Sequence, residues 1–134
     1  MATGFASASS TKRARGLGAS AGHAVAHWKA QRVTAVANLA LLVWLLASLL
    51  MLPSLDHATV VLWARQPVVA VPLALLTVST VWHMRLGVQV MLEDYLPAEG
   101  TRFVANLALG FYAVAVGAAA LWAILKLAYG VLHG

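Results

Sequence analysis

The sequence predicts an all-α integral membrane protein with three transmembrane helices and a cytoplasmic N-terminus. Three observations carry that prediction. Of 134 residues, 62% are hydrophobic and only 10% charged, whereas a soluble domain carries about 25% charge to face water. The mean hydropathy is +0.84, and the apolar residues gather into runs of about one bilayer thickness. Lys12, Arg13, Arg15, Lys29 and Arg32 all precede the first run, which places that end in the cytoplasm by the positive-inside rule.

Residues 1–22 hold Ser, Ala, Gly and basic residues with no acid, and are expected to be a disordered or partner-contacting segment ahead of a membrane anchor domain over 23–134. No long apolar run precedes Val33, which argues against a cleaved secretory signal. Residues 24–31 read as a short interfacial helix, with Trp28 at headgroup depth and His27 and Lys29 on its wet side. The first span is expected over 33–52, interrupted by Thr34, Asn38 and Ser48 and stopped by Pro53. Residues 53–66 read as a short external connection containing Asp56 and His57.

The second span is expected over 67–92, with Pro67 suited to a helix start and Pro72 set to bend the first turns. Leu96-Pro97-Ala98-Glu99-Gly100 makes a cytoplasmic turn. The third span is expected over 103–125, with Lys126 and His133 at its exit. It is crowded with small residues, among them Gly110, Ala113 and Gly117. Such residues permit close helix approach where no hydrophobic force drives association, so this span reads as a packing helix. Three helices enclose little interior, which implies a partner subunit.

The chain has no cysteine, which excludes disulfides, thiolate-bound iron-sulfur clusters and covalent c-type haem through its own residues. The basic residues lack interleaved aromatics and flank a membrane segment, so nucleic acid is not an expected partner. Chemistry is concentrated in residues 81–95, V-W-H-M-R-L-G-V-Q-V-M-L-E-D-Y. At about 100° per residue, His83, Gly87, Val90 and Asp94 share one helix face, with His83 about 16 Å from Asp94 along the axis.

His83 lies deep in its span, where an imidazole needs a hydrogen bond or a metal. Two readings stand: an interhelical hydrogen bond to Ser79, Thr80 or a neighbouring helix, or axial ligation of haem iron. Gly87, one turn on, leaves room for a porphyrin edge or for close helix packing. His23, His27, His57 and His133 fall in terminal or connecting segments and read as solvated. Asp94 and Tyr95 fall at the interface. They read either as ordinary span-end residues or as a quinone site, the phenol donating to a carbonyl and the carboxylate handling protons. Glu93 points elsewhere and reads as solvated. Arg85 is costly facing lipid, so it is expected to face protein, a cofactor carboxylate or a snorkelling path. Arg32 either obeys the positive-inside rule or reaches a haem propionate.

The run from His83 to Tyr95, with a glycine four residues after the histidine and an Asp-Tyr pair at eleven and twelve, resembles the signature of the hydrophobic membrane anchor subunit of succinate dehydrogenase, respiratory complex II. His27-Trp28-Lys29-Ala30-Gln31-Arg32-Val33-Thr34-Ala35 is similar to the start of that family's first helix. The two motifs and the three-span layout cover roughly residues 23–127. The match departs at Leu96-Pro97, where the family often continues with valine and a basic or polar residue.

The resemblance implies a haem-binding helical bundle built with a second small membrane anchor, which together tether a flavoprotein and an iron-sulfur subunit to the inner (cytoplasmic) membrane. His83 would be this chain's ligand to haem b, the other coming from the second anchor, with Gly87, Arg32 and Arg85 as candidate haem contacts. Tyr95 would bond the ubiquinone carbonyl and Asp94 would organise the proton supply. FAD and iron-sulfur clusters would reside in the partner subunits, and this chain alone would have no activity. A fumarate reductase anchor is the alternative within redox chemistry. A non-redox membrane scaffold would explain the small-residue span but leave His83, Asp94 and Tyr95 as coincidence. A multidrug-type transporter would need a carboxylate inside a span, and none of the four acids lies in one.

Overall fold

The structure, a computed structural model, describes residues 7–130, with side chains from residue 21 onward. Every element is helical: α1 spans Ser7–Leu50, α2 His57–Ala64, α3 Pro67–Tyr95 and α4 Glu99–Tyr129. Three stretches are long and apolar enough to cross a membrane, Ala21–Leu50, Pro67–Tyr95 and Glu99–Tyr129. The expected all-α, three-span layout is therefore present, with longer helices than the apolar runs alone indicate.

The start of α1 revises the reading of residues 24–31. The backbone of 7–22 is helical and runs into the rest of α1, and residues 24–31 belong to the same helix rather than to a separate interfacial one. Ala, Arg and Lys are strong helix formers, and extending an existing helix avoids the cost of nucleation. Residues 1–6 and His133 lie outside the described residues. At its other end α1 tightens through Leu52 N–H donating to Leu49 O at 3.2 Å, and Pro53 follows.

The connection expected over 53–66 contains a helix of its own. Asp56 caps α2, accepting from the Thr59 backbone N–H at 3.2 Å. Ser54 Oγ and Thr59 Oγ1 donate to the same carboxylate, the latter at 2.6 Å. These hydroxyls, Ser54 first, lower its pKa from 3.8 to about 2.

Gln66 and Pro67 open α3, where the missing proline N–H costs nothing. Pro97 ends it at the preceding residue. Arg102, in the first turns of α4, reaches back to donate to the Leu96 carbonyl from Nε at 3.1 Å and Nη2 at 2.9 Å, pinning the 96–98 turn. Gly130 closes α4 with φ 57°, the left-handed cap position that glycine adopts without strain.

α3 is the central helix. It packs against α1 on one side and α4 on the other, and among the described residues α1 and α4 do not meet. Among the described residues only Ala64, Val69, Leu86 and Ala113 are buried, and no polar or charged side chain is. A chain with so small a core leaves nearly all its apolar surface for lipid or other protein.

Candidate functional site

The α1–α3 seam is built from a helical repeat on α1. His27, Gln31, Thr34, Asn38, Leu41, Leu45 and Ser48 are half-buried positions of a largely exposed helix, spaced as one face demands. Three polar pairs cross this seam. Thr34 Oγ1 meets His83 Nδ1 at 3.0 Å. One turn away Ser79 Oγ donates to the Thr34 carbonyl at 3.4 Å, and Thr80 Oγ1 donates to Asn38 Oδ1 at 3.4 Å.

The Thr34–His83 bond fixes the imidazole's chemistry. The Thr34 hydroxyl has one proton, and two carbonyls of its own helix, Ala30 at 2.9 Å and Gln31 at 3.0 Å, lie in its path. If that proton goes to a backbone carbonyl, the hydroxyl oxygen accepts from His83 Nδ1–H, and the neutral ring keeps its lone pair on Nε2, where a metal can bind; if it goes to Nδ1, the ring carries its proton on Nε2. An oriented ring with one nitrogen tied to an acceptor and the other basic is the usual state of a metal-ligating histidine. The interhelical bond and the ligand role, alternatives on sequence grounds, are compatible, and the partner is Thr34 on the neighbouring helix α1.

Gly87 follows His83 by one turn and is half-buried. A Cβ built there would meet nothing closer than Gln31 Nε2 at 4.0 Å. The missing side chain is therefore not required by the α1–α3 contact. Among the described residues no cluster of three or more His, Cys, Asp or Glu gathers to hold a metal. One imidazole fits one of the two ligands of a bis-imidazole haem site.

Asp94 and Tyr95 lie at the end of α3, both exposed, Tyr95 to 79%. Nothing among the described residues covers the phenol. Glu93 turns aside and accepts from Gln89 Nε2 at 3.0 Å. Arg32 is exposed and stacks over the Trp28 ring, 4.5 Å from its centroid. α1 and α3 are antiparallel, and the Thr34–His83 and Gln31–Gly87 contacts set Arg32 near the level of Arg85, about 14 Å along the axis from Asp94.

Arg85 faces the opposite side of α3, lining a groove shared with α4, with its guanidinium 5.6 Å from the Trp82 ring centroid. A cation–π contact contributes about 0.5 to 2 kcal/mol, less than the about 2.5 to 3.5 kcal/mol that an arginine costs at the centre of a span. The charge is only partly compensated within the chain.

Sequence reasoning missed His27. Read as solvated, it is half-buried, and its Nε2 is closed off from solvent with no hydrogen-bond partner among the described residues. The repeat that carries Gln31, Thr34 and Asn38 puts position 27 on the same face, and that spacing is the signal that finds it.

Comparison with known proteins adds to this geometry. A Rickettsia bellii (strain RML369-C) protein named succinate dehydrogenase hydrophobic membrane anchor subunit is 27% identical over 88 residues, covering 66% of this chain and 70% of that protein. A Rickettsia conorii (strain ATCC VR-613 / Malish 7) protein of the same name is 34% identical over 71 residues, covering 52% of this chain and 56% of that one. No solved structure matches significantly. The model of the succinate dehydrogenase/fumarate reductase transmembrane subunit family matches residues 7–125, from the start of α1 to the last turns of α4, and the chain belongs to that family.

Proposed function

We propose that this chain is the membrane anchor subunit of a succinate:quinone oxidoreductase, contributing one axial ligand to haem b and part of a ubiquinone site. The observation that carries the reading is the Thr34–His83 bond, which holds the imidazole of a membrane span across the α1–α3 seam, one turn from Gly87. A second small membrane anchor would supply the other histidine to the haem and cover the exposed phenol of Tyr95. The N-terminus lies in the cytoplasm and the chain sits in the inner (cytoplasmic) membrane, so the Asp94–Tyr95 end meets the iron-sulfur and flavoprotein subunits.

Haem, when bound, supplies one-electron redox chemistry inside the membrane. This chain's residues do the rest of the local work. Thr34 holds the His83 ring and its tautomer. Gly87 keeps its flank clear. Arg32 offers a cation for a propionate. Tyr95 donates a hydrogen bond to a quinone carbonyl, and Asp94 passes protons as the quinone takes up two electrons and two protons to become quinol. The family description also spans fumarate reductases, which run this exchange in reverse. Both similar Rickettsia proteins carry the succinate dehydrogenase name, which supports the oxidising direction.

Purification through this chain in mild detergent is expected to recover a flavoprotein, an iron-sulfur subunit and a second small anchor, with a reduced b-type visible spectrum. Tyr95→Phe should slow quinone reduction about tenfold or more, the scale of one lost transition-state hydrogen bond, and leave succinate oxidation by soluble dyes intact. Equal loss in both assays removes the quinone assignment.

A further inference from the structure

Among the described residues His27 Nε2 is the one side-chain nitrogen or oxygen closed off from solvent with no hydrogen bond. The ring is half-buried, so it reaches from the surface of the bundle into the contact between α1 and α3. A polar atom kept in that state is costly, and folded chains retain few of them.

The register of the seam names the group that answers it. Thr34 meets His83, Asn38 meets Thr80 and Gln31 lies beside Gly87, so the two antiparallel helices stay in step. One turn beyond Gln31, that step sets His27 level with Met91, and Asp94 follows about 4.5 Å further along the axis. Asp94 shares the α3 face of His83 and Gly87. It is exposed and, like His27 Nε2, has no hydrogen-bond partner among the described residues. One group is an imidazole nitrogen in want of a partner, the other a carboxylate that only accepts. We infer that His27 relays protons to Asp94 during quinone reduction, the two bonding across the α1–α3 seam as the site turns over. The inference rests on the quinone reading of Asp94 and Tyr95.

The neighbouring charges leave His27 as the donor. On α3, Glu93 turns aside to Gln89 and Tyr95 serves the quinone. On α1, Lys29 and Arg32 are exposed off the seam face, and His23, one turn earlier, is exposed. α4 does not meet α1. Of these groups only the imidazoles change charge between about pH 5 and 8, and only His27 enters the seam. Ubiquinone takes two electrons from the iron-sulfur subunit and two protons by this route. Each proton passes from water to His27, from the imidazolium to the Asp94 carboxylate, and from that carboxyl group to a quinone oxygen. His27 is left neutral and takes its next proton from water.

The test uses the complex purified in mild detergent, assayed for succinate-dependent quinone reduction and in parallel with a soluble dye. His27→Ala should slow quinone reduction about tenfold, less than the about 100-fold loss of a directly acting acid or base, with the dye assay unchanged. Added imidazole should restore most of that loss by entering the space left, whereas His27→Phe, with the space filled, should be slow and unresponsive. The inflection near neutral pH in the unmodified complex should be absent from His27→Ala. Asp94→Asn and the double variant should be equally slow, since two members of one relay are not additive. His23→Ala should be normal. A normal rate in His27→Ala overturns the relay, as does a slow rate that ignores imidazole and keeps the inflection. Equal loss in both assays, or a changed haem spectrum with quinone kinetics unaltered, also overturns it. Tyr95→Phe, run alongside, separates the two readings. A normal rate there removes the quinone site itself, whereas a slow Tyr95→Phe beside a normal His27→Ala removes only the relay.

Discussion

The two sides of α3 are joined to their neighbours by different physics. Toward α1 the contact is polar: Thr34, Asn38, Ser79, Thr80 and His83 exchange hydrogen bonds across the seam. Toward α4 it is small and apolar, with Ala113 buried and Gly117 placed so that a Cβ would come 3.7 Å from Val81 Cγ1. In lipid neither seam gains from hydrophobic association, so each must hold by specific bonds or by close approach. The polar seam also orients a reactive ring, whereas the small-residue seam leaves a groove. One helix thus carries a chemically committed wall and a permissive one.

Replacing His83 with leucine attacks the polar seam where it matters most. The reduced-haem absorbance of the purified complex should fall to background, and an unchanged spectrum would remove the ligand assignment. On the other wall, Gly117→Leu should crowd Val81 and cost about 1 to 3 kcal/mol, read as a lower Tm of the detergent complex with the haem spectrum kept. If haem is lost there as readily as at His83, the two walls are not independent.

Thr34→Val keeps the shape of the seam and deletes the acceptor. Intramembrane hydrogen bonds contribute about 0.6 kcal/mol on average, so the stability change should be small. The change in haem affinity should be larger, about 10- to 100-fold, because an orienting partner of a ligand is removed. A stability loss with no change at the haem would reduce Thr34 to packing.

The smallest effect lies outside both seams. The folded Asp56 carboxyl titrates at about 2 against 3.8 ordinarily, so its stabilisation is complete above about pH 3.8 and is lost as pH falls through about 2. Asp56→Asn should lower Tm slightly at neutral pH, and the difference from the unmodified protein should vanish near pH 2. A difference that persists there would assign the effect to cap geometry rather than charge.

What the sequence made legible follows from length and period. Runs of bilayer length announce spans whatever their neighbours, and the eleven-residue spacing of His83 and Asp94 puts both on one face in any helix. Two features were hidden by their context. Val60 to Trp63 is too short to cross a membrane and sits between Pro53 and Pro67, so it reads as a loop; only the Asp56–Thr59 cap marks α2. The small residues of the third span read as one packing stripe. In the structure Gly110, Ala113 and Gly117 all line the groove between α3 and α4, with Ala113 buried at its base. The partner of His83 was unreadable for a related reason: any of the neighbouring hydroxyls meets the distance, and only the register of α1 against α3 selects Thr34.

Thr34 also bears on how the chain is made. At about 5 to 20 residues per second, ribosomes deliver His83 several seconds after Thr34 has entered the bilayer. Throughout that delay the threonine proton is occupied by the carbonyls of Ala30 and Gln31, so α1 can wait in lipid with no stranded donor. The later helix then finds a ready acceptor oxygen, and assembly proceeds without first breaking a competing bond.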